Sequence, residues 1–301
     1  MIFFILLQNF VFSALLLHMD RCKRLFLFAG YDHDAIIDDA LVHYVSTLSK
    51  FGDVILCMDC ECPKSEINKI KPFTIHTVAK RHGEYDFGSY KRAYQHARDK
   101  KILNKYDVLY LVNDSVFGPM FDITNILNKI DSNTSDACGM VISKHKTHSF
   151  IESWFVRLNS KIFLTPWFNK FISSVTHESD KATITIKYEH GLTNIIKNHN
   201  CSWDAIYKIR GRFTYTNPKI LFKRGCPFVK RACFTRHNGD CGNQIKYILN
   251  NSDTNTSNAI LKTANRVYGE TYMKQFLTYN LIKIYMRKIK YAIQKIKSGQ
   301  I

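Results

Sequence analysis

The sequence predicts an α/β fold, a mostly parallel sheet flanked by helices, followed by a helical C-terminal extension. Two observations predict the sheet. Leu25 to Ala29, a run of helical spacing and Val54 to Met58 form a β-α-β opening, and strands joined through a helix run parallel. Val108-Leu109-Tyr110-Leu111-Val112 is an unbroken apolar run of strand length, as expected of a strand buried on both faces. A third observation predicts the extension: beyond residue 258 the chain turns helical and stays so to its end.

The elements follow in order. Met1 to Met19 is nearly all apolar but carries Gln8, Asn9 and His18, and Arg21, Lys23 and Arg24 follow it. We read 1–19 as an apolar leader or anchor, or as an early start with translation beginning at Met19. The main domain then spans 20–250. After the first strand and the loop Gly30 to Asp34, residues Ile36, Ile37, Leu41, Tyr44, Val45 and Leu48 repeat at helical spacing. Asp38 and Asp39 stand near that helix's start, where its dipole favours negative charge. Phe73 to Val78 reads as a weaker strand, and Tyr85 to Tyr90 opens a helix that continues through Ala97. After Val112 come Asn113-Asp114-Ser115, a turn at Phe117-Gly118-Pro119, and a helix over Ile123 to Ile130. Ala137 to Ile142 and the alternating stretch Phe150 to Phe163 read as strands, Trp167 to Val175 as a helix, and a further helix follows Gly191. The polar run 251–258 reads as a linker opening the 251–301 extension. The tail, Leu281 to Ile301, has six basic residues, no acidic one, and Ile282, Ile289, Ile293 and Ile296 along one side. Such a helix lies on an anionic membrane surface, or packs on the core with its lysines in water.

Composition narrows the function. With 46% hydrophobic and 23% charged residues the chain is globular. A net charge of +18 admits nucleic acid, an anionic membrane, a phosphorylated substrate, or a merely Lys- and Asn-rich drift. No nucleic-acid recognition motif is present, so no nucleic-acid partner is expected. The nine scattered cysteines suit a reducing compartment. Cys57, Cys60 and Cys62 have no second ligand pair at zinc-finger spacing, and the twelve histidines show no metal-binding spacing.

Asp114 is the first chemical candidate. Open α/β sheets bind ligands beyond the carboxyl ends of their strands. A carboxylate there, flanked by Asn113 and Ser115, suits a hard cation bridging two phosphates, or simply makes a turn.

Several ordered blocks carry a family resemblance. Tyr85-Asp86-Phe87-Gly88-Ser89-Tyr90-Lys91 comes first, and Asn113-Asp114-Ser115-Val116-Phe117-Gly118-Pro119 follows. Then come Tyr188-Glu189-His190-Gly191-Leu192-Thr193, Asn217-Pro218 and Cys226-Pro227-Phe228-Val229-Lys230. Together they resemble the rhamnan synthesis protein F family, over roughly Lys23 to Cys233. The resemblance implies a GT-A-like, Rossmann-type glycosyltransferase of bacterial surface polysaccharide, lipopolysaccharide O-antigen included. It implies a nucleotide-sugar donor, a lipid-linked or polysaccharide acceptor, and a cytoplasmic place at the inner face of the plasma membrane. The family name alone suggests rhamnose. On the same basis Asn113, Asp114 and Ser115 fill the donor diphosphate position, with Mg²⁺ or Mn²⁺ on Asp114. Asn113 and Ser115 depart from a carboxylate pair there, which weakens the case for a required metal. Asp32, Asp86, Ser89 and Lys91 fall on the donor side, with Gly88 allowing close backbone approach. Lys230 and Arg231 could neutralise the diphosphate, or could be plain surface charge. Glu189 is the candidate base of an inverting transfer, or a carboxylate serving only a helix dipole. A non-catalytic scaffold of a polysaccharide assembly complex is the competing reading, with a basic nucleic-acid-binding protein behind it.

Overall fold

The computed structural model describes residues 22–235, 240–278 and 280–297. The apolar segment 1–19 lies outside them. The chain order is β1 (Arg24–Gly30), α1 (Asp39–Leu48), β2 (Asp53–Met58), α2 (Lys64–Ile70), β3 (His76–Ala79), α3 (Tyr85–Asp99), β4 (Val108–Asn113) and β5 (Val116–Phe117). There follow α4 (Thr124–Asp131), β6 (Ala137–Lys144), β7 (Ser149–Ile151), β8 (Phe155–Asn159), α5 (Pro166–Ser173), α6 (Gly191–Asn198), β9 (Trp203–Arg210) and β10 (Val229–Lys230). The last helices are α7 (Gly242–Asn250), α8 (Thr254–Tyr268), α9 (Glu270–Phe276) and α10 (Leu281–Lys297).

The main sheet runs β3-β2-β1-β4-β8-β6-β7, with β9 also paired to β6. β3, β2, β1 and β4 are parallel, β8 is antiparallel to both its neighbours, and β9 is parallel to β6. This is the mostly parallel, helix-flanked α/β sheet expected of a GT-A-like domain. Strand alternation divides the core. Phe26 and Phe28 of β1 pack in one cluster with Tyr44 and Leu48, while Leu25 and Leu27 pack on the opposite face with Tyr90 and Tyr94. Burial on both faces explains why β1 and β4 read as continuous apolar runs. The first helix starts where the sequence placed it, because the Asp38 side chain accepts from Leu41 N–H at 2.9 Å.

Three expectations are corrected. The weak strand starts later, at His76, because Lys71–Phe73 forms a single helical turn containing Pro72. The alternating stretch 150–163 is not one strand: β7 ends at Ile151, β8 begins at Phe155, and Ser160–Phe163 is helical. Between the strands Glu152, Ser153 and Trp154 spend their polar groups on side-chain partners. The polar run 251–258 is not a linker. Asp253 caps α8 by accepting from Asn255 and Thr256 N–H groups, and Thr256 and Ser257 are buried. Ile260 and Ala264 of α8 share a third apolar cluster with Ala40, Phe117 and Met273. Helix α8 thus packs on α1, beside the carboxyl end of β1.

Candidate active site

The site is built at the carboxyl ends of β1 and β4. Asn113 ends β4, and its Oδ1 accepts from the N–H (3.1 Å) and hydroxyl (2.6 Å) of Ser115. Its amide donates to Asp86 Oδ2 at 2.9 Å. Ser115 Oγ accepts in turn from Lys230 Nζ at 3.2 Å. Lys230 is buried, 3.8 Å from Glu152, and its ammonium faces the rings of Trp154 and Tyr215. Burial works against its charge, but Tyr215, Glu152, Glu189 and Asp86 more than offset it, and its pKa rises.

Glu189 lies at the end of a π-helical turn, Thr185–His190, that feeds into α6. Such turns are uncommon and frequent at functional sites. Its Oε1 accepts from Ser153 N–H at 2.8 Å and from Ser153 Oγ at 3.0 Å. Oε2 makes no hydrogen bond among the described residues. Burial pushes the Glu189 carboxyl above the usual range; Lys230 and Ser153 oppose this, and Glu152 adds to it. Glu152 itself accepts from Ser143, Thr214 and the Trp154 indole.

A second charged group stands next to this one. Asp114 Oδ2 accepts from Tyr31 N–H at 3.1 Å and lies 3.6 Å from Arg231. Burial pushes the Asp114 carboxyl up, against Arg231 and the Tyr31 N–H. Arg231 also reaches Asp38, at 3.9 Å. Arg266 of α8 donates to Asp32 at 2.5 Å, to Asp34 at 3.0 Å and to Asp38 at 3.1 Å. Among the described residues the buried Nε–H groups of Arg231 and Arg266 have no acceptor. The link between the two groups is β10, whose Lys230 pairs with Val116. Lys230 ends β10 beside Glu152 and Glu189, and Arg231, the first residue of the 3₁₀ turn that follows, lies beside Asp114 and Asp38.

The structure therefore brings together Asp32, Asp86, Asn113, Asp114, Ser115, Glu189 and Lys230. It does not bring Ser89 and Lys91 with them. Ser89 Oγ contacts the buried His82 ring at 3.0 Å. Lys91 Nζ is committed to Glu84, at 2.6 Å, and to the Val175 carbonyl. Gly88 serves the same packing, since a Cβ there would meet Glu84 Cβ at 2.3 Å and the His82 ring at 2.9 Å. Arg266, Glu152 and Ser153 belong to the site and escaped the sequence reading, which gave Asp38 only a place at the start of a helix. Glu152-Ser153, a polar pair inside an apolar run, was the available signal.

The donor set does not fit the Mg²⁺ or Mn²⁺ expected on Asp114. Asp32, Asp38 and Asp114 already face two guanidinium groups. Among the described residues no group of three or more His, Cys, Asp or Glu side chains is arranged to hold a metal ion. A divalent cation on Asp114 would compete with Arg231 for its carboxylate.

A cavity of about 560 Å³ opens apart from these groups, lined by Lys144, His145, Lys146, His148, Lys197 and Lys208 among others. Its lining is mostly basic, and His148 on its wall lies 4.9 Å, ring to ring, from His190, the residue after Glu189.

Among solved structures the chain is similar to a protein assigned as a nucleotide-diphospho-sugar transferase from Desulfovibrio desulfuricans. That match has 14% identity and a TM-score of 0.40, and it covers 82% of this chain and 98% of that one. It is also similar to a cytidylyltransferase from Leptospira borgpetersenii, with 11% identity and a TM-score of 0.35, covering 63% of this chain and 76% of that one. No curated protein matches the sequence. The family model described as rhamnan synthesis protein F matches residues 54–297. That span takes in the Tyr85–Lys91, Asn113–Pro119, Tyr188–Thr193 and Cys226–Lys230 blocks, and the chain belongs to the rhamnan synthesis protein F family.

Proposed function

We propose that the protein is a glycosyltransferase that moves a sugar from a nucleotide-sugar donor to a growing surface polysaccharide, with inversion at the anomeric carbon. The observation that carries this reading is Glu189, fixed through one oxygen by Ser153 and leaving the other for chemistry. A general base needs a carboxylate held in place, with a pKa lifted toward the working pH; burial supplies the lift. In the proposed step Oε2 takes the acceptor hydroxyl's proton as its oxygen attacks the anomeric carbon and the bond to the diphosphate breaks.

On the leaving-group side, Arg231 and Arg266 are the cations beside Asp114 and Asp32, and a departing diphosphate would have to draw their guanidiniums from the carboxylates they now face. Among the described residues each keeps an Nε–H without an acceptor. Lys230 adds its charge beside Glu189, Glu152 and Asp86. The basic cavity beside His190 suits an acceptor that carries phosphate, as lipid-linked saccharides do. We place the enzyme in the cytoplasm, at the inner face of the plasma membrane.

The test is a transfer assay across nucleotide sugars with wild type and Glu189→Gln, paired with thermal shift on nucleoside diphosphates. Transfer by wild type, lost in the variant with the nucleotide shift retained, supports the reading. A nucleotide shift without transfer from any donor turns the assignment to a scaffold that binds nucleotide. The absence of both ends the transferase reading.

A further inference from the structure

We propose that α10 docks the protein on an anionic lipid surface, lying flat in the interface with one face inserted. This proposal stands apart from the transferase reading: it uses none of the residues of the candidate site and holds whether or not that site transfers sugar.

The sequence left two orientations for this basic amphipathic helix, and the structure chooses between them. Ile284 is 7% exposed and faces the protein. Arg287 turns the same way, donating to Asp240 at 2.8 Å and to the Gln275 carbonyl at 3.0 Å. The other side carries Ile282, Tyr285, Met286, Ile289, Ile293 and Ile296, each 47–72% exposed. At 3.6 residues per turn these six fall within an arc of about 100° that runs the length of the helix. A terminal helix that docked through its apolar stripe would bury these residues. Here it docks through the back and presents the stripe outward. A continuous exposed stripe of this kind marks an interaction surface.

Charge names the occupant. The helix carries Lys283, Arg287, Lys288, Lys290, Lys295 and Lys297 and no acidic residue, on a chain of net charge +18. Lys288 and Lys290 are exposed and stand on opposite flanks of the stripe. Long lysine side chains so placed reach up to headgroup phosphates while the stripe enters the acyl boundary. Tyr285, an amphipathic ring, suits the same depth. A second copy of this face would set lysines against lysines. Among the described residues no helix is long and apolar enough to cross a membrane, so α10 lies on the bilayer.

The experiment is co-sedimentation of the full chain with vesicles of phosphatidylcholine alone and with added phosphatidylglycerol, against an Ile289→Asp, Ile293→Asp double variant. Both positions are exposed, and circular dichroism confirms the variant's fold. The expected result is binding that rises with phosphatidylglycerol, falls with salt, and drops at least about tenfold in the variant. Binding indifferent to phosphatidylglycerol, or equal in the variant, overturns the proposal. So does a concentration-dependent dimer in light scattering that the variant abolishes, since a second copy would then cover the face. A Tyr285→Trp variant reads the stripe directly, even if the apolar segment 1–19 binds lipid by itself. Brominated lipid should quench its added fluorescence, and no added quenching over wild type overturns the proposal.

Discussion

Glu189 Oε1 accepts both the backbone N–H and the hydroxyl of Ser153, at 2.8 and 3.0 Å. The bond pair joins a π-helical turn to the loop between β7 and β8. It fixes which oxygen of the carboxylate is structural and which can act. Ser153 is held in turn by Tyr90, whose hydroxyl donates to its carbonyl at 3.0 Å.

The first prediction concerns Glu189→Gln. Glutamine keeps an oxygen acceptor for Ser153 and loses the base. Transfer should fall by about 10²–10⁴ in kcat, the usual contribution of a general base. Nucleotide-dependent thermal shift should persist. Because burial disfavours the carboxylate, the variant should be no less stable than wild type at neutral pH, as urea denaturation would read.

The pH profile follows from the same shift. A raised folded pKa means Glu189 favours the fold when protonated. That contribution is present below the ordinary glutamate value and is lost as pH rises through the raised one. Activity runs the opposite way, since the base must be ionised. The acid limb of kcat/KM should therefore lie above the ordinary glutamate range. Lys230 holds the Glu189 pKa down, so Lys230→Met should move the limb to higher pH. A limb unmoved in that variant would assign it to another group.

Arg266 offers a third test. Its guanidinium serves Asp32, Asp34 and Asp38, and Asp32 is only 7% exposed. Arg266→Ala leaves Asp32 without its cation and should cost about 2 kcal/mol of stability, a value reduced for the partial exposure of the arginine. It should also weaken nucleoside diphosphate binding. In wild type the nucleotide-induced melting shift should be the same in chelator as in Mn²⁺. A shift that appears only with metal would mean that a cation displaces a guanidinium.

The last prediction probes the C-terminal helices. A Cβ on Gly242 would sit 1.9 Å from the Phe276 carbonyl oxygen. Backbone cannot yield as a side chain tip can, so Gly242→Ala should destabilise by about 2 kcal/mol or more. Unchanged thermal stability would mean that α9 does not pack on α7 in this way.

Local chemistry made much of this protein legible in its sequence. Continuous apolar runs gave β1, β2 and β4, because a strand buried on both faces has no polar side to show. Asp38 marked the start of α1, because a cap acts on its own next turn. The block motifs gave the family. They also pointed to Asp86, Asn113, Asp114, Ser115, Glu189 and Lys230 of the candidate site: Asn113 to Ser115 stand at the end of β4, Lys230 ends β10, and Asp86 and Glu189 reach the site from helical turns. Tertiary structure decided what depends on distant partners. Ser89 and Lys91 look like phosphate ligands at a helix start, but His82, Glu84 and the Val175 carbonyl take up their polar groups. Residues 251–258 look like a linker because their polarity serves a cap and buried hydroxyls, not water. Arg266 carries no local signal at all: it lies 234 positions from Asp32, and only the docking of α8 on α1 puts its charge beside that carboxylate. The same holds for the face of α10, where the sequence gives the stripe, and contacts through Ile284 and Arg287 decide that the stripe points outward.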